Sequence, residues 1–292
     1  MIRGTGAYCF SGVMQMMCAW NELISILPLW MRKEVDIRGK DCLTELRLRL
    51  GSPPELISGG HSQWLCRAIS AEDLSFCINA ACRYSPWTAG SESEGYITVP
   101  GGHRMGICGE AVIKNGVLSG FQKISSLCIR VARDYCGIWK PKELHLGSFL
   151  ILGAPGWGKT TLLRDCTRYL AETTCVCVID ERRELFPNGF QRGRRMDVLS
   201  GCPKPAGIEI ALKTMRPDYI ALDEITAAGD CSALIRAVGC GVMLAATAHA
   251  PSVEEFCRRP IYKPILDYRL FDTIIQLHKD LSYSVERMGA CH

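Results

Sequence analysis

The chain lacks most of the features that announce an unusual solvent or partner. It has no long Lys/Arg run, and its formal net charge of +4 over 292 residues is mild. The electrostatic footprint of a nucleic-acid binder is therefore missing, and a nucleic-acid partner is not expected. No C-x-x-C pair occurs: the closest of its 17 cysteines, Cys175 and Cys177, lie inside an apolar run, which excludes the common zinc and dithiol spacings. Cys128, Cys166 and Cys240 also sit in apolar segments. They read as reduced, buried thiols of a cytosolic protein rather than the disulfide framework of a small secreted domain. There is no internal repeat and no low-complexity tract, which excludes solenoids and biased disordered segments. An unbroken stretch of about 20 apolar residues, as a membrane span needs, is absent too. Gly12, Gln15, Asn21 and Glu22 interrupt the apolar first thirty residues, and neither a strongly basic start nor a small-residue cleavage site marks a signal peptide. A buried or partner-facing helix is expected there, with a membrane-surface role as the alternative.

What is present is an ordinary globular balance, 48% hydrophobic and 22% charged, in a chain long enough for two domains. In LTELRLRL, Leu46, Leu48 and Leu50 alternate with Arg47 and Arg49, the pattern of a strand with one wet face. Ser70 to Cys82 carries an N-cap serine, early acids and helical apolar spacing. Glu94 to Arg133 is a series of short β-branched runs broken by glycines, with Asn115-Gly116 as a hairpin signal. Together these predict an N-terminal α+β domain over 1–143. The texture then changes. Strands are expected at Phe149 to Leu152, Cys175 to Asp180, Tyr219 to Asp223, Val242 to His249 and Thr273 to Leu277, with a helix from Lys159 to about Ala171. Apolar strands alternating with helices imply a mostly parallel sheet covered on both faces, an α/β domain over 144–292.

One stretch of that second domain states a chemistry. Gly153-Ala154-Pro155-Gly156-Trp157-Gly158-Lys159-Thr160 matches G-x-x-x-x-G-K-[ST] in full, and Thr161 follows it. Between a strand and a helix, such a loop turns backbone N–H groups toward phosphate oxygens, and the helix dipole favours the negative charge. Lys159 is then the group for the β- and γ-phosphates of ATP, and Thr160 a ligand for Mg²⁺. Asp223-Glu224 closes the apolar run YIAL. An Asp there can hold Mg²⁺ and the adjacent Glu can direct an attacking water, which tilts the reading toward hydrolysis. Glu181 and Glu184 end the second strand, either as further water- or metal-directing carboxylates or as a solvated charge cluster. His249 ends the fourth, either as a structural histidine or as a sensor of the γ-phosphate. Arg104, Arg130 and Arg133 read as surface or ion-paired arginines, and Arg194, Arg195 and Arg216 as closer candidates for a finger.

The segments GYITVPGGHRMGICGEAV, ISSLCIRVAR, GAPGWGKTTLLRD, VIDERRE, RRMDVL, MRPDYIALDEI and TAHA occur in that order. In them the chain resembles the stage III sporulation protein AA family of endospore-forming bacteria, over most of Leu43 to Leu277. That family is similar to the ATPases of type II and type IV secretion and pilus machines. The resemblance implies a RecA-like P-loop core behind an N-terminal domain, and self-assembly into a hexameric ring. It makes Lys159 and Thr160 the Walker A pair and Asp223 and Glu224 the Walker B pair. Glu181 and Glu184 fall in an acidic box and His249 in a histidine box. It implies an Mg²⁺-dependent ATPase at the cytoplasmic face of the membrane, energising a channel between mother cell and forespore with the other stage III proteins. An assembly scaffold with little turnover and a RecA-like nucleic-acid motor are the alternatives. Trp157, Arg183 and Thr226 depart from the family pattern, and none of them removes a catalytic group. The indole of Trp157 is expected on the outer side of the loop, against the N-terminal domain or a neighbouring subunit, leaving nucleotide affinity to the backbone.

Overall fold

The computed structural model describes residues 15–83, 95–138 and 147–288. The expected domain boundary at 143/144 lies outside the described residues, as do the first fourteen of the apolar opening segment. The remainder of that segment is not one helix. Gln15–Met17 is a short strand, and the helices α1 (Trp20–Ser25) and α2 (Leu29–Gly39) follow, divided at Pro28, whose ring cannot continue a helix from the preceding turn. Two compact units emerge: one comprises Met17–Asp134 with Pro187–Phe190, the other chiefly Tyr135–Phe186 and Gln191–His292.

The first unit is built on β1 (Glu45–Arg49), β2 (Glu55–Ser58), β3 (His61–Trp64), β4 (Tyr96–Thr98), β5 (Arg104–Lys114) and β6 (Val117–Arg130). They form an antiparallel sheet in the order β3-β2-β1-β6-β5-β4. Leu46 and Leu48 are fully buried, with Trp20, Leu23, Met31 and Leu127 in the same core. The intervening Arg47 and Arg49 pair with Glu45 and Glu55 on the wet face. Asn115 and Gly116 both adopt positive φ, the primed turn that matches strand twist in a two-residue hairpin. Helix α3 (Ala71–Arg83) opens on a capping box: the Asp73 N–H donates to Ser70 Oγ at 3.2 Å and the Ser70 N–H to Asp73 Oδ2 at 3.0 Å.

The second unit carries a sheet of β7 (Phe149–Gly153), β8 (Val176–Asp180), β9 (Met196–Ser200), β10 (Tyr219–Leu222), β11 (Met243–His249), β12 (Thr273–Leu277) and β13 (Tyr283–Arg287). Their order is β9-β8-β10-β11-β7-β12-β13, parallel throughout except for the β12–β13 pair. The sheet is covered on both faces. Phe149 and Ile151 of β7 enter one apolar cluster, with Leu163 and Cys166 of α4 (Lys159–Leu170), and Leu150 and Leu152 enter the opposite one, with Leu234 of α6 (Ala228–Gly239). Continuous apolar runs, rather than alternation, are what a two-sided parallel sheet requires. Two edge strands, β9 and β13, carry no such run and escape the sequence pattern. Every cysteine among the described residues is a free thiol.

His103 is fully buried in the first unit. Its Nε2 donates to the Ala19 carbonyl at 2.9 Å and its Nδ1 accepts the Ala132 N–H at 3.0 Å, which specifies a neutral ring. Burial pushes its pKa below the ordinary histidine range. A group with a depressed pKa in the folded state supports folding above the unfolded value of about 6.5, and that support is lost as pH falls. The melting temperature should therefore drop between about pH 7 and pH 5, and a His103→Gln variant should show a flatter dependence; equal slopes in a pH series of thermal melts would contradict this.

Candidate functional site

The site follows from the strand order. β11 lies between β7, which leads into the glycine loop, and β10, which leads into Asp223-Glu224. In register, His249 sits opposite Gly153 and Ala246 opposite Leu222, so Thr247 reaches the level of Asp223. Residues 247 and 249 share one face of β11 because side chains alternate along a strand. All of these groups stand at the carboxyl ends of parallel strands, where ligands bind in open α/β sheets.

The loop itself is shaped by two glycines. Gly156 (φ 79°) and Gly158 (φ 88°) occupy the left-handed region, which favours glycine, and no atom lies within 4 Å of where a Cβ would stand on either. That open concavity at the start of α4 fits a chain of phosphates. Lys159 is 5% exposed. Its Nζ donates to the Ala154 carbonyl at 3.1 Å and to His249 Nδ1 at 3.0 Å. Burial lowers the lysine pKa, opposed by the charges of Glu224 and Asp223.

The opposite side of the cradle is a continuous hydrogen-bond chain. Thr160 Oγ1 donates to Asp223 Oδ2 at 2.7 Å, and the fully buried Thr247 donates its hydroxyl to Asp223 Oδ1 at 2.5 Å. The same Thr247 oxygen accepts the Glu224 N–H at 2.8 Å. Glu224 is left-handed, φ 49°, a conformation that costs a non-glycine residue roughly 1–2 kcal/mol. Its carboxylate accepts from His249 Nε2 at 2.6 Å and from Arg182 Nη1 at 2.9 Å. With Lys159 donating to Nδ1, His249 carries its proton on Nε2, so one imidazole links the lysine to the glutamate.

The acidic segment after β8 divides its labour. Asp180 is structural: its carboxylate accepts the N–H groups of Glu184, Leu185 and Phe186 at 2.8, 3.1 and 2.9 Å. Glu181 and Glu184 line a narrow cleft together with Asp223 and Glu224. Glu181 is also bound at 2.5 Å by Lys204, a 4% exposed lysine at the start of α5 (Lys204–Ile210). Thr247, Arg182 and Lys204 are the members that pattern reasoning missed. Only Thr247 left a signal, two residues before His249 on the same strand. Three of the other candidate arginines have structural partners: Arg133 donates to the carbonyls of Gly39, Lys40 and Leu43, Arg104 stacks 3.7 Å over Tyr96, and Arg195 donates to the Thr173 carbonyl.

The half-buried indole of Trp157 packs on the apolar cluster that includes Phe149, Ile151, Leu162 and Leu277 within its own unit. The loop is short, and the indole gains more by covering that sheet edge than by standing in solvent.

Residues 19–285 match the model of the family described as Sporulation stage III, protein AA. The chain belongs to that family. It is 35% identical to "Stage III sporulation protein AA" of Bacillus subtilis (strain 168) over 281 residues, 89% of this chain and 91% of the relative. Among solved structures it resembles the Legionella pneumophila ATPase DotB, with TM-score 0.58 and 19% identity over 89% of this chain and 80% of that one. It also resembles the pilus retraction motor PilT solved with bound ADP, with TM-score 0.58 and 15% identity over 89% and 82%. At that identity the likeness is one of fold: a P-loop secretion-ATPase fold with a mostly parallel sheet, as the motifs implied.

Because Thr247 serves both Asp223 and Glu224, Thr247→Val should cost about 1–3 kcal/mol in urea unfolding, while Thr247→Ser should stay within about 1 kcal/mol of wild type. A valine variant as stable as wild type would show that the hydroxyl is dispensable.

Proposed function

We propose that this protein is an Mg²⁺-dependent ATPase. The observation that carries the reading is the single hydrogen-bonded chain from Lys159 through His249 to Glu224, beside the Thr160–Asp223 contact at 2.7 Å. In this reading Lys159 and the loop backbone, Gly153 to Thr161, hold the triphosphate, and Glu224 orients and deprotonates water. His249 reports phosphate occupancy at Lys159 to Glu224. Glu181 and Glu184 set the acidic field of the cleft, with Glu181 held in place by Lys204.

The residues present fit Mg²⁺. Thr160 and Asp223 supply two hard oxygen ligands. Among the described residues no cluster of three or more His, Cys, Asp or Glu could hold a metal ion unaided. Mg²⁺ suits such a site, because it is held by one or two protein groups together with substrate phosphates. When bound, Mg²⁺ neutralises charge developing on the phosphate oxygens.

By its family and fold, the chain serves as a motor that couples hydrolysis to export or channel assembly between mother cell and forespore. Residues 144–292 are the ATPase domain and 1–143 the N-terminal domain. It works as a hexamer at the cytoplasmic face of the membrane, with other stage III proteins as partners. No helix among the described residues is long and apolar enough to cross a membrane. Lys159→Ala should abolish Mg²⁺-ATP hydrolysis, and Glu224→Gln should bind ATP with little turnover; a Lys159→Ala protein as active as wild type would overturn the ATPase reading. Light scattering with a non-hydrolysable ATP analogue should show a nucleotide-dependent hexamer.

The pairing of Arg182 with Glu224 favours slow turnover before assembly. Both Glu224 oxygens are engaged, one by His249 and one by Arg182. The Arg182 side chain is 58% exposed, so the ion pair is worth about 1 kcal/mol or less and is readily displaced. Arg182→Ala should raise the basal ATPase rate of the unassembled chain by roughly two- to five-fold, a range set by that energy. An unchanged rate with intact nucleotide binding would show that Arg182 does not restrain the glutamate.

A further inference from the structure

Next to the phosphate loop lies a cavity of about 480 Å³, within the size range of small-molecule sites. Its apolar walls are Trp157, Leu162, Leu277 and Leu281, and Gly158 and Thr161 of the loop and α4 form part of its lining. The cavity therefore adjoins the loop at Gly158 and Thr161. A ligand that reaches from the loop into it is a polyanion joined to a flat, largely apolar group, which is the chemistry of a nucleotide.

Leu281, in the turn between β12 and β13, is 50% exposed and left-handed, φ 66°, in a hairpin loop closed by its N–H donating to the His278 carbonyl at 3.0 Å. Its side chain lines the cavity.

We propose that this cavity seats the nucleotide base against the Trp157 indole, under Leu281, and that it accepts purines without distinguishing ATP from GTP. The proposal rests on the nucleotide reading of the loop and extends it to the base. Stacking is indifferent to base identity because every base has a π face. The polar side chains of the described lining are the hydroxyls of Tyr135, Thr161 and Tyr283. A hydroxyl both donates and accepts, so it serves the 6-amino group of adenine and the 6-oxo group of guanine alike. Among the described lining residues there is no amide, carboxylate or cationic side chain to enforce a choice. Trp157, the departure from the family's loop pattern, thereby acquires a role: its backbone serves the phosphates and its side chain serves the base.

The test is equilibrium binding of ATP, GTP, CTP and inorganic tripolyphosphate, each with Mg²⁺, to the full-length chain. Wild type should bind ATP and GTP within about three-fold of each other, CTP more weakly, and tripolyphosphate at least roughly ten-fold more weakly than ATP. Trp157→Ala should weaken ATP and GTP roughly ten-fold or more and leave tripolyphosphate within about two-fold, and Trp157→Phe should recover most of the loss. Leu281→Ser, at an exposed turn where folding is not at risk, should weaken both nucleotides roughly three-fold and spare tripolyphosphate. Three results overturn the proposal: Trp157→Ala binding ATP as wild type does, Trp157→Ala losing tripolyphosphate as much as ATP, or GTP rejected by more than about ten-fold. Wild type that binds tripolyphosphate as tightly as ATP overturns this proposal alone. Wild type that binds neither overturns the nucleotide reading beneath it.

Discussion

The hydroxyl of Thr247 holds the two halves of the site together. It donates to Asp223 and accepts from the backbone of Glu224, so one buried oxygen orients a carboxylate and stabilises a left-handed glutamate. Two neighbouring facts depend on it. Asp223 keeps its other oxygen on Thr160, and Glu224 faces His249 and Arg182. A small polar group with both of its roles filled is well suited to a fully buried position, where an unmet donor or acceptor would cost about 1–3 kcal/mol.

That interaction exists because of strand order. β11 is inserted between the glycine-loop strand and the Asp223 strand, and parallel register sets Thr247 and His249 beside the groups they serve. The apolar faces of the sheet fix that register, because a one-residue slip would turn Ala246 and Ala248 out of their cluster and the polar pair into it. The packing that stabilises the second unit is thus also what aligns the chain from Lys159 to Glu224.

The lysine–histidine–glutamate chain gives the site a means of coupling. Lys159 is buried, and that burial lowers its pKa, so an incoming polyanion offsets the cost of keeping its charge away from water. The same lysine is held by His249, and the same histidine holds Glu224. In the proposed reading, a ligand that draws Lys159 away from the imidazole is felt at Glu224 through His249. Arg182, exposed and weakly held, is the remaining restraint on that carboxylate.

The buried strands of the parallel sheet were legible in the sequence, because a strand apolar on both faces leaves an unbroken run, and so were α3 with its Ser70 cap and the hairpin at Asn115-Gly116. The glycine loop was legible because its chemistry needs glycine at Gly156 and Gly158 and a cation next to them. The edge strands β9 and β13 were not, since an edge strand needs no continuous apolar run. Arg182 and Lys204 were not either: a cation gains its meaning from the carboxylate it meets, and those pairings span 42 and 23 residues of chain. The cluster that receives the Trp157 indole was not legible for the same reason, as it is assembled from β7, α4 and β12. Local pattern determined which residues could bind phosphate; only the tertiary structure decided which side chains would hold them, because those contacts join strands that are distant in sequence.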